Sequence, residues 1–222
     1  MIPVVVISSE ATRNALRYCQ LAWNETGPLH SVGMRFFVVT SSGIKDELLF
    51  PNWSYVDAPV GIEFGRSLIL GQEVVYSEFG KNYPYLVWLD DYILRTIDPD
   101  AFIFMWDMMR TLDFVDQMRL LPCPGPKIPG TTDQSVIGII RPQDPYAISF
   151  QAAFWRNVDR YVEPEMSPWQ AEIAGSKQVS TQPISNIGAF LGARVNIVSY
   201  ENLYRRGRLH EDAMENVKRM GL

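Results

Sequence analysis

The sequence predicts a single α/β domain with a mostly parallel central sheet flanked by helices. Three observations carry that expectation. The runs Val4-Val5-Val6-Ile7 and Phe36-Phe37-Val38-Val39 are uniformly apolar rather than alternating, as strands covered on both faces are. Segments with apolar residues three or four apart separate such runs and read as helices. The resulting order through Leu89 is strand, helix, strand, strand, helix, strand, the rhythm of crossover-connected parallel strands, whose ligands bind beyond the carboxyl ends.

Taken in order, the first strand ends at Ser8-Ser9, whose hydroxyls suit a helix start. From Ala11 to Asn24, Leu16, Cys19, Leu21 and Trp23 form a partly amphipathic helix closed by Gly27-Pro28. The second strand stops at Thr40-Ser41-Ser42-Gly43, and Trp53-Ser54-Tyr55-Val56 is a weaker third after Pro51. Phe64, Leu68, Val75 and Phe79 give a helix over 64–79. Tyr85 to Leu89 is a buried strand, and Asp98-Pro99 starts a helix running to Leu112. Prolines and glycines from Leu121 to Gly130 predict an irregular connection, with a short strand near Val136 to Ile140. The apolar run Ile148 to Trp155 leads into a predicted helix emerging at Arg156-Asn157-Val158-Asp159-Arg160. Further helices start at Ser167-Pro168 and cover Glu211 to Met220.

At 222 residues, 47% hydrophobic and 20% charged, the chain suits one globular domain with a full core. A net charge of -5 argues against a generally basic, nucleic-acid-coating surface and leaves room for a local basic patch. Cys19 and Cys123 are too few and too far apart for a metal cluster or a disulfide framework, which favours a reducing compartment. Pro3 interrupts the first apolar run, no basic region precedes it, and no segment approaches the roughly 20 apolar residues of a membrane span. A cytoplasmic protein without a membrane span is expected, of open oligomeric state.

The chemically suggestive feature is Leu89-Asp90-Asp91-Tyr92, two carboxylates directly after an apolar strand. Burying charge is costly unless something pairs with it, so the pair should face a metal, a cation or water where the strand emerges. A turn or cap role is the plainer alternative, although Asp98 already supplies the next helix with a cap.

Three spaced elements resemble the small GT-A-fold glycosyltransferases of bacterial polysaccharide loci and phage genomes. They are Leu89-Asp90-Asp91-Tyr92; Ser149-Phe150-Gln151 followed by Trp155, like that family's Ser-x-Gln and tryptophan; and Ser167-Pro168-Trp169 with Glu172 beyond. The amino-terminal strand and the ending Asn202 to Leu209 are also similar, so the resemblance covers most of the chain. It implies a GT-A-like (Rossmann-like) single domain, with residues 1–92 as the nucleotide-sugar-binding half and 93–222 as the acceptor-side half.

The resemblance also implies roles. The activity would be metal-dependent transfer of a sugar from a nucleotide sugar to a hydroxyl acceptor, either a glycan or the hydroxymethylated base of phage DNA. Asp91 would hold Mn²⁺ or Mg²⁺ through oxygen, with His210 a further candidate ligand, and Asp90 would support the donor. Glu172 would be the general base. Arg205, Arg206 and Arg208, in the densest cationic run of the chain, would clamp the diphosphate, since guanidinium forks match phosphate oxygens. Trp155 and Trp169 would stack on sugar or acceptor, core packing being the alternative for both. Two departures matter. Gln170 stands where that family commonly has an acid, and Ala171 where it has an aromatic. If the base belongs at Gln170, the chain is instead a non-catalytic nucleotide- or glycan-binding module with the same fold.

Overall fold

A computed structural model describes residues 1–25, 33–40, 50–59, 61–122, 128–129, 136–205 and 208–222. Gly27-Pro28, Ser41 to Gly43, Cys123, most of the 121–130 connection, Arg206 and Gly207 lie outside them. The chain forms strands β1 (Ile2–Ser8), β2 (Met34–Thr40), β3 (Trp53–Asp57) and β4 (Tyr85–Leu89), all mutually parallel in the order β3-β2-β1-β4. Helix α1 (Leu16–Glu25) follows β1, and α2 (Phe64–Phe79) joins β3 to β4.

Burial explains the uninterrupted apolar strands. Val4, Val6, Leu86 and Trp88 enter one core, with Cys19 and Trp23 of α1. Val5, Ile7, Tyr85 and Val87 enter the opposite one, with Leu68 and Val75 of α2. Both faces are covered, so alternation has no polar side to show.

The second half of the chain completes the same sheet. Strands β6 (Val115–Arg119), β7 (Ile128–Pro129), β8 (Ile137–Ile140), β9 (Ala153–Trp155) and β10 (Ala189–Ala193) extend the order to β3-β2-β1-β4-β9-β6-β10-β8-β7, nine strands in all. Strand β9 is antiparallel to both β4 and β6, and β8 is antiparallel to β10. The remaining strands share one direction, so the sheet is mostly parallel. Residues on both sides of position 92 contribute to this sheet, with β9 lying directly beside β4 and β6 next to β9.

Outside the main sheet, β5 (Tyr92–Ile97) pairs with β11 (Val198–Asn202), and β12 (Tyr204–Arg205) with β13 (Arg208–Leu209). Helices α3 (Pro99–Thr111), α4 (Pro168–Thr181) and α5 (Glu211–Arg219) complete the fold. Asp98 caps α3 as expected, its side chain accepting from the Ala101 amide at 3.1 Å. No helix among the described residues is long and apolar enough to cross a membrane.

One expectation fails here. Ile148 to Trp155 does not lead into an α-helix: Ala153–Trp155 is a strand, and Val158–Arg160 is a single 3-10 turn. The vacancy between β4 and β6 decides this, because hydrogen-bonding partners on both sides satisfy an extended backbone there.

The start of α2 is docked on the segment that leads into α4. Gly65 N donates to Met166 O at 2.8 Å and Arg66 N to Pro164 O at 2.9 Å. A Cβ at Gly65 would stand 2.0 Å from the backbone oxygen of Glu163, which has no side-chain freedom with which to yield. Gly65→Ala is expected to cost about 1–3 kcal/mol through this overpacking, read as a fall in the denaturant midpoint at unchanged slope; an unaltered midpoint would contradict the close docking.

Candidate active site

The chain turns directly after β4, and Asp90 and Asp91 are that turn. Asp90 N donates to Ile7 O at 3.1 Å, extending the β1–β4 pairing by one step. Trp88 Nε1 donates to Tyr92 O at 2.7 Å, and Leu203 N to Asp91 O at 2.9 Å, so the turn is held from beneath and from the carboxyl-terminal segment. Both carboxylates are buried, with Asp90 1% and Asp91 8% exposed. They open on a cavity of about 370 Å³ walled by Ser8 at the end of β1, Ser9 and Thr12 just after it, Glu63 and Phe64 at the start of α2, and Pro168 at the start of α4. This is the carboxyl edge of the parallel strands, where the crossover rhythm predicts a ligand.

Burial pushes Asp90 up to about 7, against hydrogen bonds from Ser8 and Thr12 that favour the charged form; Asp91 adds a smaller repulsion. The Ser8 hydroxyl donates to Asp90 Oδ2 at 2.6 Å. Burial likewise pushes Asp91 up to about 6. Beside Asp91, Tyr92 and Tyr200 stack with centroids 4.1 Å apart. Burial raises both phenols, Tyr200 to about 12, and the charges of Asp91 and Glu172 add to the rise in each. The stacked pair is thus within electrostatic reach of both acids.

Glu172 sits on the first turns of α4, half-buried, with Oε1 accepting from Ser149 Oγ at 3.0 Å and from the Phe150 amide at 2.9 Å. It caps nothing of its own helix. The box is closed by Gln170: its Oε1 accepts from Ser167 N at 2.9 Å, and Ser167 caps in return. Next to the held segment, Gln151 Oε1 is buried without a hydrogen-bond partner among the described residues. An orphaned buried acceptor is costly, and a ligand hydroxyl would relieve it. Phe64 of the cavity wall meets the Phe150 ring edge-on at 5.3 Å, which brings this segment to the same side as Asp90 and Asp91.

The other expected site residues fare differently. Trp155 is fully buried, stacked on Phe150 at 5.1 Å, so it packs the core and presents no face to a sugar. Trp169 is 61% exposed beside Tyr146, with centroids 6.3 Å apart, and is available to a ligand. Arg205 and Arg208 are exposed cross-strand neighbours in the β12–β13 hairpin. That hairpin is tied back to the turn: Leu203 N reaches Asp91 O, and His210 N reaches Leu203 O at 2.8 Å. No group of three or more His, Cys, Asp or Glu side chains that could hold a metal occurs among the described residues, so His210 does not join the two aspartates in such a cluster. Ser8, whose hydroxyl the sequence offers as a helix cap, instead bonds Asp90; the parts of Thr12, Glu63 and Tyr200 in this site carry no signal in the sequence.

Solved structures share this architecture. S. aureus TarS, residues 1–349, superposes with a TM-score of 0.57 at 9% identity, over 90% of this chain and 59% of that one. The galactosyltransferase LgtC, in complex with donor and acceptor sugar analogues, gives 0.50 at 12% identity over 98% and 96%. The fold is GT-A-like. An apo UDP-glucose pyrophosphorylase also matches, with a TM-score of 0.56 and 11% identity over 100% of this chain and 98% of that one. No protein-family profile matches the sequence, and no curated protein is similar to it in sequence. The chain spans 59% of the length of the TarS fragment it matches.

The residues at this GT-A edge fit a hard divalent cation. The side-chain donors lining the cavity are all oxygen: the carboxylates of Asp90, Asp91 and Glu63 and the hydroxyls of Ser8, Ser9, Thr12 and Ser67. No basic side chain among the described residues lines the cavity or offsets the rise of either aspartate. The adjacent pair Asp90 and Asp91 is the protein share that Mg²⁺ commonly takes when phosphates and water fill its other positions.

The raised carboxyls fix a pH dependence. Between the ordinary carboxylate range and about pH 7, folded Asp90 holds a proton that the unfolded chain has released. Its stabilising contribution is therefore present at the acid end and lost as pH rises through 7. Without divalent ions, stability should fall from pH 5 to pH 8, and Asp90→Asn should flatten that slope. Chemical denaturation across this range checks it; an equally steep slope in the variant would refute the assignment.

Proposed function

We propose that the protein transfers a sugar from a nucleotide sugar to a hydroxyl acceptor, with a divalent cation held at Asp91. The observation that carries this reading is a pair of buried, raised carboxylates on a cavity at the carboxyl edge of a GT-A-like sheet. TarS has been solved with UDP-GlcNAc and with UDP, and LgtC with donor and acceptor sugar analogues, which supports a nucleotide-sugar donor here.

The roles follow from the chemistry of the side chains. Asp91 is the direct ligand, and Asp90, oriented by Ser8, supports it or the donor ribose. When bound, Mn²⁺ or Mg²⁺ would neutralise charge on the leaving diphosphate. Arg205 and Arg208, with Arg206 between them in sequence, supply further cationic groups to the phosphates. Gln151 Oε1 accepts a hydrogen bond from a sugar hydroxyl. Glu172 takes the proton of the acceptor hydroxyl: Ser149 and Phe150 fix its Oε1, leaving Oε2 unengaged among the described residues. Gln170 is then a helix-capping residue rather than a lost base, and Trp169 offers an exposed face to the acceptor.

The acceptor is a glycan or a hydroxymethylated base of DNA, and binding at increasing salt separates these, because phosphate contacts release counterions. A nucleotidyltransferase is the second reading, favoured by the near-complete mutual coverage with UDP-glucose pyrophosphorylase. Against it, Ser8 to Ala15 after the first strand contains no glycine for a phosphate-cradling loop. Release of pyrophosphate from a nucleoside triphosphate and a sugar phosphate would decide for it.

Two outcomes test the proposal. With Mn²⁺ and a panel of nucleotide sugars and acceptors screened by mass spectrometry, Asp91→Ala should abolish metal-dependent turnover; full activity in that variant would sink the metal assignment. Glu172→Gln should bind donor with unchanged affinity and lose about 10²–10⁴-fold in transfer rate. Wild-type protein that binds donor but transfers to nothing across the panel would point to a binding module.

A further inference from the structure

A second cavity lies at the other end of the sheet. It holds about 680 Å³ and is lined by the segment entering β4 (Lys81 to Pro84), the end of α3 and start of β6 (Arg110, Asp113, Phe114, Asp116), the segment after β9 (Arg156, Asn157, Arg160), and Ser185 to Gly188 before β10. These flank the amino ends of β4, β6 and β10, whereas Asp90 and Asp91 follow the carboxyl end of β4.

Its walls carry four basic side chains against two acidic ones, and the acidic side is weaker than that count. Asp116 is buried and already engaged: Asn157 Nδ2 donates to Oδ1 at 3.1 Å, and the Tyr161 hydroxyl and Arg160 both meet Oδ2. Lys81 and Arg110 are exposed and make no hydrogen bond or ion pair among the described residues. Arg156 is only 3% exposed; its terminal nitrogens donate to Met109 O, Leu112 O and Val115 O, while its buried Nε has no hydrogen-bond partner among the described residues. Arg156 thus sets a fixed, buried positive charge in the cavity wall, which favours an anion nearby.

Two further features point the same way. Asn82 and Asn157 both line the cavity with φ of 64° and 54°, two of the three non-glycine residues in the left-handed region among those described. Such backbone clusters at ligand-holding sites. Phe114, 60% exposed at the wall, offers an apolar face beside the cations. The volume falls in the range of small-molecule sites and far exceeds one inorganic anion.

We propose that this cavity is a second binding site, taking a phosphate-bearing small molecule through Lys81 and Arg110, with the buried charge of Arg156 behind them. It is independent of the donor cavity and of the reaction assigned there. Phosphate oxygens pair with the two free cations, the organic part rests on Phe114, and Asp113 opposes the anion and sets a limit on its charge.

The test uses the full chain in EDTA, so that metal-dependent binding at Asp91 does not contribute, with inorganic pyrophosphate as the probe and citrate as a carboxylate control. Calorimetry should give saturable pyrophosphate binding at millimolar concentration or below, with citrate weaker. Backbone amide shifts should appear at Asn82, Phe114 and Ser185 to Gly188. Lys81→Ala/Arg110→Ala should weaken binding at least about tenfold, the loss of one or more charged contacts, while leaving the circular-dichroism spectrum and any donor turnover unchanged. Asp113→Asn should tighten it. Binding that persists in the double variant, shifts confined to Ser8 to Thr12 and Asp91, equal affinity for citrate, or no saturable binding would each overturn the proposal.

Discussion

A strand sealed on both faces cannot carry charge along its length, and β4 is such a strand. Tyr85 to Trp88 are buried between parallel β1 and antiparallel β9, with a core on each side. Desolvating a charge within it would cost more than any neighbour returns, so polar chemistry is forced to its ends. The first residues past the carboxyl end are Asp90 and Asp91, and the residues before its start border the basic cavity. The sheet therefore has an acidic pole and a basic pole, and the arrangement of helices is largely the means of covering what lies between them.

The acidic pole is assembled from parts far apart in sequence. Ser8 and Thr12 steady Asp90, the glycine contact at Gly65 fixes the start of α2 against the approach to α4, and α4 carries Glu172 onto the Ser149-Phe150 segment. Each of these joins backbone to backbone or a short side chain to a neighbour, contacts that leave little room for drift. Burial raises both aspartates, and no cation among the described residues offsets that rise.

Much of this was legible in the sequence where burial is simple. Phe64–Phe79 and Tyr85–Leu89 match the expected boundaries because helical spacing and an unbroken apolar run leave one solution. Asp98 was readable as a cap because its chemistry is local. Strand β6 was not readable: Asp116, Gln117 and Arg119 are fully buried, and although Arg119 also donates to Gln117, further partners, Asn157 and Tyr161, Ser149, and Tyr146 and Ala147, arrive from 27 to 45 residues away. A polar residue satisfied chiefly by partners distant in sequence reads as surface in one dimension. Trp155 shows the converse, since a large aromatic near a motif gives no sign of which side it will face. Gln170 looked like a missing acid, and its short-range bond to Ser167 explains it without reference to catalysis.

Strand β9 is three residues long and runs against its neighbours. Because of that reversal, the chain before it, with Ser149 and Gln151, emerges at the acidic pole, and the chain after it, with Arg156 and Asn157, emerges at the basic one. One short peptide thus serves as the spindle of the molecule. A slip of a single residue in its pairing would turn Phe154 out of one core and Trp155 out of the other, and would pull both poles out of true in the same movement.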